Sequence, residues 1–160
     1  MQKGLKVCAV WIGVAAAGLS QEKTAGISGI DAIAARQASL DMSSITLRFI
    51  GDAVKAGQDI KGLGYPAAAL AKWAKALPRM FPAGTGRGET SAFSQALPAI
   101  WQDRAGFDQA AANYAAATAR LVALAQQSDI AGFTKQLEVV SQACASCHAR
   151  YKFGDQTAPK

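Results

Sequence analysis

Histidine occurs once in the 160 residues, cysteine three times, and aromatic side chains make up only 8% of the chain. A structural zinc site takes four Cys/His ligands, usually in two pairs. With Cys8 set apart near the N-terminus, too few remain to supply one. The β-branched residues nowhere alternate with polar ones as in a strand, which removes the βαβ setting of a thioredoxin-like dithiol. The formal charge is +6, yet the lysines and arginines gather into no patch. That argues against nucleic acid as a partner and leaves only modest steering toward acidic proteins. What the chain has in quantity is alanine and other apolar residues, 51% in all, enough for one domain around one core. Together these point to an all-α fold.

Against that plain background one stretch stands out: Cys144-Ala145-Ser146-Cys147-His148. Two thiols three positions apart with a histidine after the second is the attachment signature of a c-type haem. On a helix Cys144 and Cys147 are i and i+3, so both thiols leave one face and can add to the two vinyl groups of a single porphyrin. His148, i+4 from Cys144, rises from the same face and is the candidate metal ligand. The expected cofactor is one haem c, covalent through Cys144 and Cys147.

Residues 1–20 read as a cleaved secretory signal, with Lys3 and Lys6 ahead of the apolar run Val7 to Leu19. A retained membrane anchor would need about 20 apolar residues, and this run is shorter. The expectation is a periplasmic mature protein, residues 21–160, without stable membrane association after cleavage. Its first helix is expected over 28–56. One stripe, Ile33, Gln37, Leu40, Ser44, Leu47, Gly51 and Val54, points inward, with Arg36 at its edge. A second stripe on the opposite side, Ala35, Ala38, Met42, Ile45 and Phe49, suits a second subunit, hence a homodimer through the first helix. A second helix is expected over 65–77, ended by Pro78. Residues 78–96 read as an irregular connector. Its Gly84-Thr85-Gly86-Arg87-Gly88 follows no strand and lacks the lysine of a phosphate loop. A third helix is expected unbroken over 98–127. A last one, capped by Ser128-Asp129, runs to 153 and carries the haem on its inward stripe. Four such helices specify an antiparallel four-helix bundle with covalently bound haem.

From about residue 30 to 153 the chain resembles the cytochromes c′, class II c-type cytochromes that carry the haem signature near the C-terminus. The resemblance rests on that position and on Ala35-Arg36-Gln37-Ala38-Ser39-Leu40. It rests also on Leu77-Pro78, Phe81-Pro82 and Gly84-Thr85 in the connector, and on Ile100-Trp101 with its spacing to Phe107. It implies a pentacoordinate, high-spin iron with His148 as its only strong axial ligand. Leu40 matches the apolar residue that covers the distal face, and Arg36 an arginine near a haem propionate. The alternative for Arg36 is a solvated charge at the stripe's edge. Phe81 of the matching connector and Lys152, four residues after the histidine, complete the implied haem contacts. Arg79 stands where some relatives have an aromatic residue. The function implied is binding of nitric oxide or carbon monoxide, together with electron transfer to a redox partner that the sequence does not name. The alternative is a low-spin, methionine-ligated electron carrier, against which the outward phase of Met42 counts. An enzyme such as a peroxidase would want a distal base, and the one histidine is spent on the iron.

Overall fold

The computed structural model describes residues 27–154. The expected leader and the last six residues lie outside them. Helix α1 spans Gly29–Lys55. Ser28 caps it, its hydroxyl accepting from the Asp31 N–H at 3.2 Å and donating to the Asp31 carboxylate at 2.7 Å. The helix stops ahead of Gly57, whose φ of 73° suits a residue without a side chain. Its buried line is Ile33, Arg36, Ile50 and Ala53, with Leu40 and Leu47 half-buried. That line is rotated from the expected stripe, for Ser44 is exposed and Ser43 takes the half-buried place. The cause is packing at the far end, where Ile50 and Ala53 join Ile60, Leu63, Leu70, Leu121 and Phe133 in one cluster. The helix turns to bury Ile50 rather than Gly51, because a branched four-carbon side chain gains far more from burial than glycine does.

Helix α2 covers Gly64–Ala76, with Pro66 in its first turn, where a missing N–H costs nothing. Pro78 does not end the helical path at Leu77 as expected. A 3₁₀ turn, Leu77–Met80, continues it, since proline's fixed φ also fits that tighter turn. The third expected helix is broken in two, a short α3 over Ala99–Gln102 and a long α4 over Arg104–Gln127. At the break Asp103 leaves helical geometry (φ −123°, ψ 60°) and caps α4 by accepting from the Gly106 N–H.

Ser128 closes α4 in the left-handed region, and Asp129 caps α5 (Ile130–Tyr151) through the Gly132 N–H at 2.9 Å. Helix α5 ends at Tyr151, short of the expected 153, because Lys152 turns extended and pairs with Ala96 of the connector. The Leu97 N–H donates to Tyr151 and the Phe153 N–H to Gln95, so backbone bonds tie the end of α5 to the connector. Apart from this isolated bridge the described residues hold no strand.

Helices α1, α2, α4 and α5 form the antiparallel four-helix bundle. Packing is dense between α2 and α4 and between α4 and α5, while α1 and α5 meet at few points. The gap between α1 and α5 is where the cavity lies. No helix among the described residues is long and apolar enough to cross a membrane.

Candidate haem site

The cavity has a volume of about 660 Å³, within the ~300–1,000 Å³ usual for cofactor sites. Every residue singled out in the sequence lines it: Cys144, Cys147 and His148 from α5, Arg36 and Leu40 from α1, Phe81 from the connector, and Lys152 just past α5. The local reason is the helical register of α5. Residues 144, 147 and 148 share one face, and that face looks into the gap left by α1.

Before haem attachment Cys144 and Cys147 are separate thiols, not joined to each other. Burial pushes both upward, Cys147 to about 11 with the neighbouring Cys144 adding to the effect. They stand as neutral thiols in an apolar wall formed with Ala143, Val140 and Phe107. Such a pair, with an imidazole one turn along and a large apolar cavity in front, fits a covalently held haem.

Arg36 adds a second sign of fit. It is 3% exposed and therefore no solvated edge charge. Its guanidinium donates to the Thr85 hydroxyl and the Ser94 hydroxyl, each at 2.7 Å, and to the Thr85 carbonyl. It also lies 4.6 Å above the Phe81 ring. All these partners are neutral, and among the described residues no carboxylate pairs with Arg36. Desolvation accordingly lowers its pKa. A buried cation with only neutral acceptors, on the wall of a cofactor cavity, is the environment that a propionate would complete.

The remaining wall is fixed by aromatic contacts and one polar junction. Phe81 meets Phe107 edge-on at 5.0 Å, and Phe107 meets Tyr151 at 5.4 Å. The Trp101 indole N–H holds the Phe81 carbonyl at 3.2 Å. The Tyr151 hydroxyl donates to the Asp103 carboxylate at 2.8 Å, and Arg150 pairs with the same oxygen at 2.8 Å. The tyrosine bond, with the Gly106 N–H and Arg150 behind it, holds Asp103 below the usual carboxylate range. Sequence reasoning missed Asp103, Thr85, Ser94, Ser43 and Tyr114 as residues of this site. Asp103 carried the one legible signal, an aspartate three residues before a glycine within a helical run.

A comparison with known families gives a match to cytochrome C′ over residues 31–152. The chain belongs to the cytochrome c′ family. It therefore carries one covalent haem c, attached through Cys144 and Cys147. A cytochrome c′ of Rubrivivax gelatinosus is 36% identical over 72 residues, 45% of this chain and 54% of that protein. The chain thus spans about half the length of the curated relatives it matches. The crystal structure of a cytochrome c′ from the same organism superposes with a TM-score of 0.69 at 27% identity, covering 78% of this chain and 96% of that one. A cytochrome c′ variant from Alcaligenes xylosoxidans, solved as a nitric oxide complex, shares the fold at 23% identity (TM-score 0.69, 78% and 96% covered).

Proposed function

We propose that this chain is a periplasmic haem protein whose iron keeps one axial position open for nitric oxide or carbon monoxide, and which can also pass single electrons. The observation that carries the reading is the placement of the methionines. Met42 stands on the outer face of α1, 61% exposed, and Met80 lies in the 3₁₀ turn; neither lines the cavity, whereas Leu40 does. A c-type haem supplies an iron that exchanges one electron and takes a small ligand wherever the protein leaves a position free. The chain's own residues do the rest. His148 is the nitrogen donor on α5. Leu40 has no donor atom and presents an apolar wall from α1, which disfavours water and anions more than neutral diatomic molecules. Arg36 offers a buried positive charge at the connector side, and Lys152 another charge at the end of α5.

The same reading makes the outer stripe of α1 a homodimer face. Met42, Ile45 and Phe49 are all more than half exposed, an apolar surface of the kind that marks an interface.

The test is the optical spectrum of purified holoprotein, ferric and ferrous, with and without carbon monoxide. A broad ferrous Soret band that sharpens and shifts with the gas is expected. Sharp, split ferrous bands indifferent to carbon monoxide would mean a sixth protein ligand, and the electron-carrier reading would replace this one.

A further inference from the structure

The last turn of α5, which carries His148, is anchored from outside its own helix. Tyr151 follows His148 by three residues, so the two share a helix face, and both line the cavity. The Tyr151 ring is 4% exposed and packs edge-on against Phe107 of α4 at 5.4 Å. Its hydroxyl donates to the Asp103 carboxylate at 2.8 Å. That carboxylate also accepts from the Gly106 N–H at 3.2 Å, so the residue that grips Tyr151 is itself fixed to the start of α4. Arg150 pairs with Asp103 too, but its side chain is 63% exposed, and an ion pair so open to water contributes little. The tyrosine bond is the stronger hold. Gly106 leaves room for it, since a Cβ there would collide with both the Asp103 carboxylate and the Tyr151 hydroxyl. Because α5 meets α1 at few points, α1 offers this turn little support of its own.

We propose that Asp103, acting through Tyr151, is a positioning residue that fixes the turn of α5 bearing His148 and so holds its imidazole at the iron. This rests on the reading of His148 as the donor to an iron with one open position. Partners that orient a ligating side chain strengthen its bond to the metal, because the ligand can neither swing nor withdraw. Freeing Tyr151 from Asp103 would let the turn shift and weaken donation from the imidazole. Weaker donation favours the ferrous over the ferric state. Asp103 does not line the cavity, so its effect reaches the iron only through α5.

The test is resonance Raman spectroscopy of ferrous holoprotein, which reads the iron–histidine stretch, with the reduction potential as a second readout. Wild type is compared with Asp103→Ala, Asp103→Asn, Tyr151→Phe and Asp129→Ala. Tyr151→Phe keeps the ring and the Asp103 charge, so a change there is not a charge effect. Asp129→Ala removes an equivalent helix cap at the far end of α5, away from the haem turn. The stretch is expected to fall and broaden in Asp103→Ala and Tyr151→Phe and to stay at the wild-type value in Asp129→Ala. Asp103→Asn keeps an acceptor for the tyrosine and should recover most of it. At a fixed electrode potential the ferrous-to-ferric ratio should rise in Asp103→Ala and Tyr151→Phe, by at most roughly ten-fold, the worth of one hydrogen bond. A stretch and a potential unchanged in Tyr151→Phe would overturn the positioning role alone. An equal shift in Asp129→Ala would overturn it too, by showing that general loosening of the bundle is enough. A wild-type ferrous spectrum without an iron–histidine band would overturn the reading of the iron site and this inference together.

Discussion

Replacing Arg36 by methionine removes a buried charge while keeping most of the aliphatic volume, so the change isolates the guanidinium. Four hydrogen bonds go with it, to the Thr85 hydroxyl, the Thr85 carbonyl, the Ser94 hydroxyl and, longer at 3.4 Å, the Met80 carbonyl, and so does the contact over Phe81. Charge-assisted bonds are worth about 1.5–3 kcal/mol each and a desolvated cation–π contact up to about 2. Their sum overstates the loss, for two reasons. Ser94 also donates to the Thr85 carbonyl at 3.1 Å and Thr85 to the Pro82 carbonyl at 2.8 Å, so the connector is not left without partners. The wild type also bears the cost of burying a cation. A net loss of about 3 kcal/mol follows, or roughly 10 °C in the thermal midpoint of a bundle of this size. Thermal unfolding of the holoprotein, followed by circular dichroism, measures it. Arg36→Lys should recover little, because an ammonium cannot reach acceptors on Thr85 and Ser94 with the planar fork that Arg36 uses. A midpoint within about 2 °C of wild type for Arg36→Met, or full recovery with lysine, would refute the claim that Arg36 clamps the connector.

Leu40→Ala widens the cavity beside the proposed ligand position. Carbon monoxide association after flash photolysis is expected to speed about ten-fold, equal to some 1.4 kcal/mol of relieved steric cost, and an unchanged rate would remove Leu40 as the gate. Phe49→Asp puts a charge into the exposed stripe of α1. Sedimentation should show a wild-type dimer and a variant monomer, while a monomeric wild type would leave that stripe unassigned. Asp103→Asn tests the junction with Tyr151 and Arg150. Because folding lowers the Asp103 pKa, its stabilisation is present above the unfolded value near 4 and is lost as pH falls through the folded one. The variant should therefore melt below wild type at pH 7 and converge with it once the pH has fallen through the lowered Asp103 value. A constant gap across that range would mean that the carboxylate charge is not what stabilises the junction.

The chemistry of this chain was legible because it is local. Cys144, Cys147 and His148 lie within five residues, and helical register alone brings them to one face. Leu40 and Met42 were separated correctly by the same reasoning, two residues on a helix pointing to nearly opposite sides. What local pattern could not supply was everything held by a distant partner. Helix α4 looks continuous with α3 in composition; at the break the Asp103 carboxylate caps the Gly106 N–H and also meets Tyr151 from 48 residues away, a partner no local pattern shows. The phase of α1 was set by taking Leu40 as the reference direction, whereas the folded helix follows Ile50 and Ala53 into a cluster built largely from α2 and α4. For Arg36 the sequence offered a propionate contact with a solvated edge charge as the alternative, and its burial could not be read because Thr85 and Ser94, 49 and 58 residues on, are invisible from its neighbours.

Those distant bonds share one consequence. The connector between α2 and α3 has little regular structure of its own, yet it is held from both sides of the cavity. Arg36 grips Thr85 and Ser94 from α1, and the backbone of Tyr151, Lys152 and Phe153 grips residues 95–97 from the end of α5. Its Phe81 is fixed in turn by Trp101 and Phe107. Since α1 and α5 scarcely touch each other, the connector is what fixes one flank of the cavity between them. A change that loosens either grip should then alter ligand access without touching Cys144, Cys147, His148 or Leu40. For this fold, the width of the haem cavity is a property of the connector's polar ties as much as of the helix that carries the haem.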